Sequence, residues 1–160
     1  MKGYEVYESE EKKKGWARVS WYPIPGERVE VDKQLEEKVL AARSRAYVPY
    51  SHFPVGAVAV DQAGHTYSGA NVENASYPLG MCAERVALFK LVTESTHAPQ
   101  ALYVIGDTEG PISPCGACRQ VMVELCPPEM PVYLGNVRGE WIETTVAALL
   151  PGAFTDRDLG

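Results

Sequence analysis

Positive charge is in short supply in this 160-residue chain: 15 Lys and Arg stand against 21 Asp and Glu, a net charge of −6. Binding that follows a phosphate backbone draws on clustered basic residues, so the balance argues against a nucleic-acid partner. No apolar run approaches the ~20 residues of a membrane span. The N-terminus has neither the basic start nor the apolar core of a secretory signal, so the expected location is cytoplasmic, with no membrane partner. No internal repeat or low-complexity tract is present. Histidine is scarce, with three residues, and there are four cysteines. In a reducing compartment those cysteines read as metal or catalytic groups rather than as two disulfides.

Apolar residues make up 46% and charged residues 22%, ordinary values for a globular protein. The length suits one domain, which can bury roughly 68–70% of its unfolded surface. Residues 1–30 read as an N-terminal extension of uncertain order. Tyr4–Tyr7 could form a short strand, and Trp16, Trp21 and Tyr22 precede the breakers Pro23 and Pro25-Gly26. The domain proper is expected over 31–160. Asp32 sits where an N-cap would, ahead of Leu35, Val39, Ala42 and Ala46 on one helical face, and Pro49 closes that helix. Val55–Asp61 and Thr66–Ala70 read as a hairpin around Gly64. A polar loop over 71–81 follows. Cys82 opens a second helix to about Val92, and Cys115 opens a third to about Leu125. Strands are expected at Ala101–Ile105, Pro131–Leu134 and Gly139–Thr144, with a last short helix at Val146–Leu150. Strands alternating with helices predict an α/β layered domain around one sheet.

The chemistry gathers in Cys82-Ala83-Glu84-Arg85 and Pro114-Cys115-Gly116-Ala117-Cys118. Cys115 and Cys118 share a helical face with Val121, Met122 and Leu125. If both helices begin at one sheet edge, Cys82 joins them, and helix N-termini favour the thiolate. Three thiolates leave one position of a tetrahedral Zn²⁺ open, as in a catalytic site. Such a site is net negative. Arg85 is the cation placed to donate to ligand sulfurs and draw charge off them, with Arg119 a second candidate. Glu84 is a proton carrier beside the metal. Alone, it would be an ordinary acid in a first helical turn. A thioredoxin-like redox reading of Cys115-x-x-Cys118 leaves Cys82 and Glu84 unexplained. Cys126 reads as a packing cysteine, and none of His52, His65 and His97 has ligand spacing to a cysteine.

Cys-Ala-Glu followed by Pro-Cys-x-x-Cys resembles the zinc nucleoside deaminases. Tyr50–Ala57, Asn71–Ser76, Ser113–Gln120 and Leu149–Phe154 extend the likeness to cytidine deaminases of the short, homotetrameric kind. The resemblance implies a three-layer α/β/α sandwich around one mixed five-stranded sheet. It implies that Cys82, Cys115 and Cys118 ligate Zn²⁺ and that Glu84 shuttles protons. Asn71 and Glu73 would hold the ribose 3′-hydroxyl, Phe53 would pack on the base, and the Ala83 backbone would contact the base carbonyl. Phe154 would reach a neighbouring subunit's site. The implied reaction converts cytidine and 2′-deoxycytidine to uridine and 2′-deoxyuridine with release of ammonia, in pyrimidine salvage. The alternative is a related deaminase acting on another aminopyrimidine nucleoside. A non-enzymatic zinc module would need a fourth protein ligand, and a polynucleotide editor is poorly served by the acidic charge.

Overall fold

The computed structural model describes residues 24–160. The strand expected at Tyr4–Tyr7 and the aromatics Trp16, Trp21 and Tyr22 lie outside them. The elements run β1 (Glu27–Val29), α1 (Lys33–Arg43), β2 (Val55–Asp61), β3 (Thr66–Ala70), α2 (Ala83–Glu94), β4 (Pro99–Gly106), α3 (Gly116–Leu125), β5 (Pro131–Asn136), β6 (Trp141–Thr145) and α4 (Val146–Leu149). Asp32 caps α1 as its position in sequence predicts, its carboxylate accepting the Gln34 and Leu35 amides. The helix stops at Arg43, well before Pro49. Tyr47 is drawn off into a bridge with Val72, which ends the helical run.

The sheet is mixed, as expected, but has six strands in the order β1-β6-β5-β4-β2-β3 rather than five. The added strand is β1, whose three residues pair antiparallel with Trp141–Glu143 of β6. Among the described strands only β4 and β5 run parallel, a pairing that requires a crossover, supplied here by α3. β3 and β4 both lie antiparallel to β2, in registers that include Gly56↔Ala70 and Val55↔Gly106. The C-terminal ends of β3 and β4 therefore meet at one sheet edge. From that edge the chain enters α2 and α3.

Alternation along the strands divides the core between two faces. Ala57, Ala59, Leu102, Val104, Val132 and Leu134 pack with Ala87, Leu88, Leu91 and Met122 of α2 and α3. Val58, Ala101, Tyr103, Ile105 and Trp141 pack on the other face with Val39 of α1. Three layers result. Two glycines let the helices sit this close. A Cβ on Gly56 would lie 2.4 Å from the Val39 carbonyl oxygen, and one on Gly69 would lie 2.5 Å from that of Ala83.

Candidate active site

Cys82 and Cys115 are the N-cap residues of α2 and α3, both with extended backbone, and neither side chain caps its own helix. Their sulfurs are thus free to turn toward each other. They lie 3.8 Å apart, and Cys115 Sγ lies 3.5 Å from Cys118 Sγ one turn into α3. All three sulfurs fall within 4.8 Å of one another. Ligands around a tetrahedral zinc at metal–sulfur distances of ~2.3 Å lie ~3.8 Å apart, so the donor set fits the ion in number, chemistry and spacing. Among the described residues no fourth Cys, His or carboxylate joins the cluster. The predicted convergence of two helix N-termini on three thiols is therefore present.

Electrostatics favour a thiolate here before any ion enters. The Cys82 thiol is lowered to about 5, first by the hydrogen bond from the Cys118 thiol and then by Arg85. Cys118 is pushed up in turn, because it supplies the proton of that shared bond and is fully buried. Arg85 Nη2 donates to Cys82 Sγ at 3.5 Å, as its place one turn along α2 predicts. Its Nε is buried with no partner among the described residues. Glu84 is 5% exposed. Burial raises its carboxyl above the ordinary range, and the neighbouring Cys82 charge acts in the same direction.

Arg119, the second arginine considered for the sulfurs, does different work. Its Nε donates to the Pro114 carbonyl at 2.9 Å, Nη1 to the Leu149 carbonyl at 2.8 Å and Nη2 to Ser113 Oγ at 2.7 Å. It clamps the turn that delivers Cys115 to the end of α4. Gln120 Nε2 donates to the Phe154 carbonyl at 2.8 Å and holds the C-terminal segment against α3. Sequence spacing gave no sign of these long reaches. Cys126 is buried in the core, its thiol pushed up to about 12 by burial, as a packing cysteine should be.

The remaining candidates occupy the loops around this edge. Asn71 is engaged at both ends of its amide: Oδ1 accepts the Val55 amide at 2.8 Å and Nδ2 donates to the Phe53 carbonyl at 2.9 Å. Glu73 Oε2 accepts the Tyr50 and Ser51 amides at 2.9 and 3.2 Å. Its carboxyl is held below the ordinary range, chiefly by hydrogen bonding to the Ser51 side chain. Glu73 also lines an open cleft of about 370 Å³ with Tyr50, Ser51, Asn74, Tyr77 and Gly80. Among the described residues no cysteine lines that cleft. The Phe53 ring rests over Gly106, where an added Cβ would meet Cζ at 3.4 Å. Ala83 is fully buried in the first turn of α2, and Phe154 is 58% exposed.

Residues 29–134 match the family described as the cytidine and deoxycytidylate deaminase zinc-binding region. The chain belongs to this family. A cytidine deaminase of Sporosarcina psychrophila is 55% identical over 127 residues, 77% of this chain and 93% of that protein. One from Halalkalibacterium halodurans is 53% identical over 130 residues, 81% of this chain and 98% of that protein. The crystal structure of cytidine deaminase from Burkholderia pseudomallei superposes with a TM-score of 0.74 at 48% identity, covering 78% of this chain and 99% of that one. Zinc is the metal of the family's domain, in agreement with the three-thiol donor set.

Proposed function

We propose that the protein hydrolyses cytidine and 2′-deoxycytidine to uridine and 2′-deoxyuridine, releasing ammonia. The observation that carries the reading is the buried Glu84, its carboxyl raised above the ordinary range, set beside three sulfurs of zinc-ligand spacing. Cys82, Cys115 and Cys118 would hold the ion. When bound, zinc supplies the activation of water as a nucleophile near neutral pH. The chain's residues manage the protons and the substrate. A new C–O bond forms at C4 of the base and the C–N bond to the amino group breaks. Glu84 gives its proton to the ring nitrogen as the oxygen adds and takes one proton of the attacking water. It delivers that proton to the departing amine and takes the second from the C4 hydroxyl as the carbonyl forms, ending protonated as it began. Cytidine and water thus balance uridine and ammonia. A carboxyl whose affinity for its proton is raised by burial suits the donor step.

The Ala83 backbone, in the first turn of α2, would meet the base carbonyl, and Phe53 would pack on the base. Asn71 and Glu73 would bond the ribose 3′-hydroxyl. Their present hydrogen bonds hold the 50–55 loop in place, so they serve as struts as well. The exposure of Phe154 supports a shared site in which it enters a neighbouring subunit of a homotetramer. The domain would span 31–160 with β1 added at its edge. A salvage role in the cytoplasm accords with a free-nucleoside substrate. Among the described residues no helix is long and apolar enough to cross a membrane.

The decisive measurement is loss of ultraviolet absorbance from cytidine and deoxycytidine with purified zinc-loaded protein. Glu84→Gln should lower kcat by roughly 10²–10⁴-fold, the usual worth of a positioned acid–base group, while zinc content stays near one per chain. Full activity in that variant would refute the proton role. Inert cytidine with another aminopyrimidine nucleoside consumed would refute the substrate assignment.

A further inference from the structure

A second constellation lies at the other end of β2, about 20 Å from the cysteine edge along the strand. Asp61 closes β2 there and is fully buried. Its Oδ1 accepts the Ala63 and His65 amides, both at 2.9 Å. Its Oδ2 accepts Ser95 Oγ at 2.6 Å and Tyr67 Oη at 3.0 Å, and lies 3.2 Å from His65 Nδ1. The two hydroxyls and two amides orient the carboxylate without help from the imidazole. Outer hydrogen bonds orient a metal-ligating carboxylate in the same way. The His65 side chain is 67% exposed. The His97 ring approaches it, with centroids 6.3 Å apart. Donor atoms of Asp61, His65 and His97 all fall within 4.8 Å of one another. His65 and His97 open onto a cleft of about 380 Å³ that Tyr67, Glu94 and Ser95 also line, while Asp61 stays buried.

We infer that Asp61, His65 and His97 form a second metal site, separate from the thiol cluster, for a divalent transition ion such as Zn²⁺. Ligand atoms on one tetrahedral zinc lie ~3.3 Å apart for nitrogen and oxygen donors, and the Asp61–His65 pair already stands at that span. Rotation of exposed His97 brings in the third donor. Two imidazoles with one carboxylate suit zinc, nickel or copper, whereas calcium and magnesium seek six or more oxygens. Glu94 adds negative charge at the mouth. The ion would tie the β2–β3 turn to the segment between α2 and β4. Two of the chain's three histidines meet here, so the site is readily isolated by mutation.

The test is a Zn²⁺ titration of holoenzyme already carrying its first zinc, followed by calorimetry, metal analysis and thermal melting. Wild-type protein should bind one further equivalent, released by mild chelation, with a melting temperature several degrees higher. His65→Ala/His97→Ala should lose both the second equivalent and the shift, while keeping the first zinc and wild-type cytidine turnover. His52→Ala should behave as wild type. Both altered rings are exposed, and the single variant His97→Gln guards against a folding defect in the double variant. Absence of a second equivalent, its persistence in the double variant, or its loss in His52→Ala would overturn the assignment. The titration reads the same whether or not the deaminase reading holds.

Discussion

Gly69→Ala tests how tightly the sheet fixes the proposed catalytic helix. Gly69 faces α2 from β3, opposite Ala57 of β2. A methyl group there would lie 2.5 Å from the Ala83 carbonyl oxygen, 2.5 Å from the Ala87 nitrogen and 3.1 Å from Ala87 Cα. All three neighbours are backbone, so no side-chain rotation can relieve them. Ordinary contact begins near 3.4 Å, so the first turns of α2 must retreat by about 0.9 Å. Overpacking of this kind costs about 1–3 kcal/mol of stability. Retreat also carries Cys82 and Glu84 with it. A misplacement of ~1 Å at a reacting centre can lower the rate on the order of 10²-fold, or about 2.7 kcal/mol of activation energy. Urea unfolding midpoints and kcat/KM for cytidine measure the two effects. Gly110→Ala, with nothing within 4 Å of its added Cβ, is the matched control and should be neutral. Wild-type stability and activity in Gly69→Ala would refute the claim that this contact sets the helix.

Arg119→Lys should lose most of the three-point clamp, cost roughly 1–3 kcal/mol in urea unfolding and lower zinc retention, because one ammonium cannot reach Pro114, Ser113 and Leu149 together. Arg85→Gln removes the cation beside Cys82, so zinc affinity measured by competition with a chelator should fall roughly 10–100-fold in a folded protein. Asp61 gives a pH prediction. Burial pushes its carboxyl up, but the Ser95, His65 and Tyr67 hydrogen bonds outweigh it and hold the native group well below the ordinary 3.8. The lowered native value means that its stabilisation is full above 3.8 and is lost as pH falls below that toward the native value. The stability gap between wild type and Asp61→Asn in urea should therefore be constant from pH 7 to 5 and shrink at pH 3.

The parts of the fold that could be read in sequence are those with local causes. Asp32 caps α1 because its side chain reaches amides two and three residues on, and Cys115 and Cys118 share a face because a helix places i and i+3 together. Elements settled by distant partners could not be read. The three residues of β1 carry little period of their own, and their strand exists because β6 offers an edge. Ala46 continues the apolar face of α1, yet the helix ends earlier because Tyr47 pairs with Val72. The reach of Arg119 to Leu149 and the meeting of His65 with His97 depend on tertiary closure. No local spacing encodes either one. Asn71 shows the limit from the other side: its motif position suggests a hydroxyl contact, while the fold also uses its amide to fasten Phe53 and Val55.

The neighbours Cys82 and Glu84 are driven in opposite directions, one toward its anion and the other toward its acid. Both sit at the N-terminus of α2, where the helix dipole favours negative charge on either. Arg85 and the thiol donors act on Cys82 directly, and the half-buried sulfur ionises readily. Glu84 turns into the core, where loss of solvent outweighs the same dipole and the same arginine. Once Cys82 is ionised, its charge opposes a second anion two residues along the chain. The first ionisation thus reinforces the proton on the second group. The proposed deaminase site, which would hold a dication and still keep a transferable proton, needs this division. Exposing Glu84 to water would collapse it, even with every ligand and the arginine left in place.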